Sequence, residues 1–168
     1  MTDEMIRALA AKDGTMQINF ECGYLSQRYL DAAKPAAAEL GPRMQEARKI
    51  EDPVARAAAI DKIEEESVAK LPPATLVDVV AQIDHAVKIG GIDHVGIGTD
   101  FDGIGCAPPE LNSYDKFPAL TRALLEKGYS ATDIKKIYGG NLLRVMRAVE
   151  QRSRELKSTA PIETKIGQ

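Results

Sequence analysis

The chain has 168 residues, room for one domain with a hydrophobic core, and a formal net charge of −3. That charge excludes a nucleic-acid footprint, which needs a basic face, and no apolar run approaches the ~20 residues that span a bilayer. Cys22 and Cys106 form no C-x-x-C pair and are too few for a disulfide framework; with no hydrophobic leader after Met1 and no lipid-anchor signal in the polar end, this predicts a reducing, cytoplasmic location away from membranes.

Thr2 or Asp3 caps a predicted helix over 3–11, with Met5, Ile6 and Leu9 on its buried stripe and Gly14 past its end. Residues 15–20 read as a strand. Met16, Ile18 and Phe20 share one face, and Thr15, Gln17 and Asn19 the other. Asn19 therefore stands at the carboxyl end of a strand, where it reads first as a loop hydrogen-bonder and second as a substrate contact. Residues 24–71 form a long helical excursion. Their Ala, Glu, Lys and Arg favour helix, and Pro35, Gly41-Pro42 and Pro53 predict two or three short helices. Glu64-Glu65-Glu66 is a solvated face, since neighbouring helical residues point in different directions.

Thr75 caps the next helix, which runs to Gly90-Gly91 with Leu76, Val79, Val80, Ile83 and Val87 on one side. His85 lies opposite that stripe and reads as a surface histidine. Residues 94–99 follow as a strand. Val95, Ile97 and Thr99 form a branched face, and His94, Gly96, Gly98 and Asp100 a nearly bare one, suited to the crowded interior of a small parallel barrel. Asp100 closes that bare face at the carboxyl end of the strand, where chemistry collects in parallel α/β folds. It either caps the D-F-D-G turn or does chemistry there; Asp102-Gly103 is a turn pair. An irregular loop over 107–113 covers this region. Helices are expected over 117–127, over 131–138 capped by Ser130, and over 142–149 opened by Asn141, with Leu142, Val145, Met146 and Val149 as a packing stripe. Residues 152–168 read as a frayed polar tail.

Rival motifs fail. A dinucleotide fingerprint starting at Gly96 needs glycine where Phe101 stands, and a calcium loop starting at Asp100 needs glutamate where Leu111 stands.

The run HVGIGTDFDGIG over 94–105 resembles the signature of the membrane dipeptidase (renal dipeptidase-like) zinc peptidases. The resemblance continues in SYDKFPAL (113–120), LLEKGYS (124–130) and GGNLLRV (139–145), and takes in TDEMIR (2–7) and MQINF (16–20). It implies that residues 1–151 are the C-terminal portion of an α/β, (β/α)8 TIM-like barrel, and that the complete enzyme hydrolyses dipeptides with two zinc ions. It assigns Asp100 to proton transfer or water orientation, Asn141 to the substrate end (a helix cap explains that residue equally well), and Asp102 to a supporting place behind Asp100. The metals of the family are held by an H-x-D pair, a bridging glutamate and two later histidines. None of these has a counterpart here, and His94, six residues from Asp100, is about 20 Å away at ~3.3 Å per residue. No metal ligand is therefore expected in this chain, which reads as an inactive fragment of a metallodipeptidase, or alternatively as a non-catalytic scaffold or partner-binding protein of the same fold. Two strands leave open edges, so homo-oligomerisation or association through those edges is expected.

Overall fold

In the computed structural model, residues 1–157 are described; of the tail expected over 152–168, residues 158–168 lie outside them. Two short parallel strands, β1 (Met16–Ile18) and β2 (Val95–Ile97), pair in the register Met16 to Val95, Gln17 to Gly96 and Ile18 to Ile97. Both are shorter than the alternation predicts. The amino end of β2 is drawn into a single helical turn, Ile92–His94, while beyond the ladder Gly98 N–H still donates to Ile18 C=O and Phe20 N–H to Thr99 C=O. The two faces separate as read: Ile18, Phe20 and Val95 are buried in the core, and Gln17 lies on the bare side. That bareness has a tenant. A Cβ on Gly98 would stand 2.7 Å from Gln17 Cβ, and one on Gly96 would displace the Gln17 amide, so the two glycines make room for the neighbouring strand's side chain to cross β2.

Helices cover the strands. α1 (Asp3–Ala10) is capped by Thr2 and packs Ile6 onto Gly90, whereas Met5, expected inside, is exposed. α2 (Cys22–Leu25) is a single turn after β1. The excursion is one long helix and one shorter one, α3 (Gln27–Arg48) and α4 (Pro53–Val68), packed as a hairpin. Pro35 and Pro42 do not break α3 as predicted. Seven residues apart, they fall on one face, and that face is exposed, so the carbonyls they orphan at Asp31 and Ala38 can be satisfied by water. Glu64 and Glu65 are solvated as expected, and Glu66 forms an ion pair with Arg43 across the hairpin.

α5 (Leu76–Gly90) begins with a reciprocal cap between Thr75 and Asp78 and buries Val79, Ile83 and Ala86 against the strands. α6 (Phe117–Glu126) and α7 (Ala131–Lys135), the latter capped by Ser130 and Asp133, follow β2 and contribute Leu120, Leu124 and Ile134 to the core. A wide turn at Lys136–Gly140 leads into α8 (Asn141–Leu156); it passes through Gly139 at φ 153°, a conformation that needs glycine. α8 departs from expectation twice. It continues helical to Leu156, through residues expected to fray, supported by an Arg152–Glu155 pair one turn apart. Its apolar stripe is also uncovered: Leu142 is 41 % exposed, Met146 48 % and Val149 62 %. Among the described residues no layer lies over it.

The cysteines are the clearest correction. Cys22 and Cys106, expected as free thiols, are joined in a disulfide. The loops leaving β1 and β2 run side by side, with Cys22 N–H donating to Cys106 C=O at 2.9 Å, and this holds the two Cα atoms 5.4 Å apart. The pairing removes the support that the cysteine count gave to a reducing compartment.

Candidate active site

The carboxyl ends of β1 and β2 open side by side into a cleft of about 620 Å³, within the range of small-molecule sites. Gln17 of β1 and Asn19 just past its end line one side, and Ile97 of β2 with Gly98, Thr99 and Asp100 just past its end line the other. Asp100 takes φ 63°, a left-handed conformation that aspartate tolerates better than most residues, and Gly103 N–H closes the turn on its carbonyl at 2.9 Å. The side chain is thereby turned up at the mouth of the strands, exposed to the cleft. Its Oδ2 accepts a hydrogen bond from Asn19 Nδ2 at 2.9 Å. Its Oδ1 lies against Gly103, where a Cβ would stand 2.7 Å away, so a larger residue there would push the carboxylate from this position. Asn19 Oδ1 in turn accepts from Glu21 N–H at 2.7 Å. The loop reading of Asn19 is thus met, and the other end of the same side chain holds Asp100.

An aromatic wall borders the cleft. Phe20, Phe101, Tyr114, Phe117 and Tyr138 form a chain of edge-on and tilted rings with centroids 5.0–6.4 Å apart. Tyr114 O–H lies 3.4 Å from Thr99 Oγ1, and Tyr138 O–H 2.9 Å from Thr121 Oγ1; burial raises the Tyr138 phenol above its ordinary value, so the hydroxyl stays protonated. This wall and Glu21 are absent from the sequence reading. One signal was available: the chain has three phenylalanines in all, and every one is in the wall.

The other candidates lie elsewhere. Asp102 is exposed on the turn and does not line the cleft. Asn141 is buried at the opposite, amino end of β2, where its amide donates to Ile92 and Val95 carbonyls at 2.7 and 2.8 Å. It stands inside α8 with helical dihedrals and is no cap. His94 is at the same end, its Nδ1–H donating to Gly14 C=O at 2.7 Å, and Arg144 beside it donates to Asp13 and Asp93 carbonyls. His85 is on the surface, 2.8 Å from Asp3.

The sequence profile of the membrane dipeptidases (peptidase family M19) matches residues 1–160. The chain belongs to the membrane dipeptidase family. Among related dipeptidases, aclJ of Aspergillus oryzae is 40 % identical over 93 residues, 55 % of this chain and 22 % of that protein; verJ of Clonostachys rogersoniana is 44 % identical over 79 residues, 45 % and 20 % respectively. The crystal structure of the probable dipeptidase PvdM from Pseudomonas aeruginosa superposes with a TM-score of 0.69 at 27 % identity, covering 90 % of this chain and 41 % of that one. A Rhodobacter sphaeroides metallopeptidase, liganded with a phosphinate mimic of L-Ala-D-Ala, shares the fold with a TM-score of 0.55 at 20 % identity, covering 84 % of this chain and 29 % of that one. The fold is thus part of a dipeptidase-type α/β barrel, and the chain spans well under half the length of the solved neighbours. A two-metal centre needs several carboxylate and imidazole ligands. Asp100 is the one carboxylate lining the cleft, and no group of three His, Cys, Asp or Glu side chains converges among the described residues. These residues do not by themselves fit a zinc pair.

Proposed function

We propose that the chain supplies the proton-handling corner of a metallodipeptidase, with Asp100 as the group that takes a proton from the attacking water and gives it to the departing amine of a dipeptide. The observation that carries this reading is the Asn19–Asp100 pair at the carboxyl ends of two parallel strands, facing an open cleft. A carboxylate held at one oxygen keeps the other for the proton, and it cannot rotate away between accepting and returning it. Zinc belongs to this reading through family membership; its ligands would come from the part of the domain that the chain does not span. The isolated chain is accordingly expected to hold no stoichiometric zinc and to leave dipeptides intact, while the domain completed with the remaining family segment hydrolyses them. Metal analysis and a dipeptide hydrolysis assay on both preparations test this. Two zinc ions per isolated chain, or no turnover by a completed and metal-loaded domain, would contradict it.

The uncovered stripe on α8 supports a further part of the same reading, association. Leu142, Met146 and Val149 present apolar surface, and each strand keeps one edge without a partner strand among the described residues; a second copy or the remaining barrel would cover both.

A further inference from the structure

Glu21 lies outside the cleft, yet its carboxylate spans the two loops that carry the pair. Oε2 accepts from Gly105 N–H at 3.2 Å and from Cys106 N–H at 3.4 Å, both on the loop after Asp100; Oε1 accepts from Gly23 N–H at 3.4 Å on its own loop. Its backbone N–H orients the Asn19 carboxamide, whose other end holds Asp100. All of its side-chain partners are backbone N–H groups, and it takes part in no ion pair among the described residues. A salt-bridging surface glutamate would show the reverse. The disulfide beside it joins the same two loops, but a covalent tie through Cys22 fixes separation, not the direction of the Glu21 N–H.

We infer that Glu21 is a positioning residue: by clamping the Asp100 loop to the Asn19 loop it sets the orientation in which Asn19 presents its amide to Asp100. The inference rests on the reading of Asp100 as the proton-exchanging group. A carboxylate suits the task because it only accepts, and three donors converge on it. Glutamine keeps one acceptor oxygen for Gly105 and Cys106 but turns a donor towards Gly23 N–H. It should therefore preserve the clamp while losing the local contact.

The experiment is NMR of the full chain labelled with ¹⁵N, following the Asn19 side-chain amide signals and hydrogen exchange at Gly105 and Cys106. In Glu21→Ala the Asn19 signals should shift and exchange at both amides should quicken at least ~10-fold, with Ile83 and Leu124 amides in the core unchanged. Glu21→Gln should restore the wild-type Asn19 signals. Unmoved Asn19 signals in Glu21→Ala, or a glutamine variant that behaves like alanine, would overturn the inference. If the alanine variant does not fold, Glu21→Asp, one methylene short of the second loop, should give the same signature, and an unshifted Asn19 there overturns it equally. No turnover is needed for this readout. Shifted signals beside an Asp100→Asn enzyme of normal turnover would leave the clamp standing and remove the peptidase reading; unshifted signals beside a crippled Asp100→Asn enzyme would do the opposite.

Discussion

Replacing Cys22 and Cys106 together by alanine removes a cross-link between residues 84 positions apart without burying two new hydroxyls. In the chain-entropy treatment a loop of that length restricts the unfolded chain by about 4–5 kcal/mol. Both sulfurs sit in the core cluster with Phe20 and Leu111, so the variant also loses some packing, and the cross-link sets the scale of the effect. At roughly 2–4 °C per kcal/mol for a chain of this size, the midpoint of thermal unfolding should fall by roughly 9–18 °C. The assay is a thermal melt followed by circular dichroism, for wild type with and without dithiothreitol and for the double variant. Reduced wild type and the variant should melt together, well below the oxidised protein. A difference of less than ~2 °C between oxidised and reduced protein would show that the cross-link is not formed or not constraining, and would refute the reasoning.

Other outcomes follow from single contacts. Asn141→Ala leaves the Ile92 and Val95 carbonyls without their donor and should cost about 2–4 kcal/mol of stability, read by urea denaturation. Asp84 is pushed up by burial, but Lys127 and the Tyr129 hydroxyl outweigh that and hold its carboxyl below the ordinary value. Because the folded value is depressed, this contribution is complete above the unfolded carboxyl range and is lost as pH falls through the folded value; in melts from pH 6 to pH 2.5, Asp84→Asn should flatten the acid limb. Glutamate at Leu142 and Met146 should shift sedimentation of the chain towards monomer, whereas an unchanged association state would show that α8 is not the contact.

Much of the architecture was legible because its signals are local. Thr75 with Asp78 and Ser130 with Asp133 are caps written three residues apart, and alternation in 15–20 and 94–99 placed Ile18, Phe20 and Val95 inside. The Asp100 turn was legible from its D-F-D-G pattern and its place after a strand. Readings failed where the deciding partner is remote in sequence. Nothing near Cys22 indicates that Cys106 will lie beside it, and nothing near Asn141 indicates the two carbonyls it binds about fifty residues earlier. Pro35 and Pro42 read as breaks from sequence, yet a proline's cost depends on which way its face points, and only packing decides that. The α8 stripe was read correctly as apolar, yet its cover does not lie among the described residues.

Turnover of a dipeptide by Asp100→Asn in the completed, zinc-loaded domain, measured against wild type with metal content and melting temperature determined for both, bears most directly on the proposed role. Asparagine keeps the size of the side chain but cannot take the proton. Turnover should therefore fall about 10²–10⁴-fold, with the metal retained and KM little changed. Near-normal turnover with intact zinc, or a loss matched by a fall in stability, would contradict the assignment of proton transfer to Asp100.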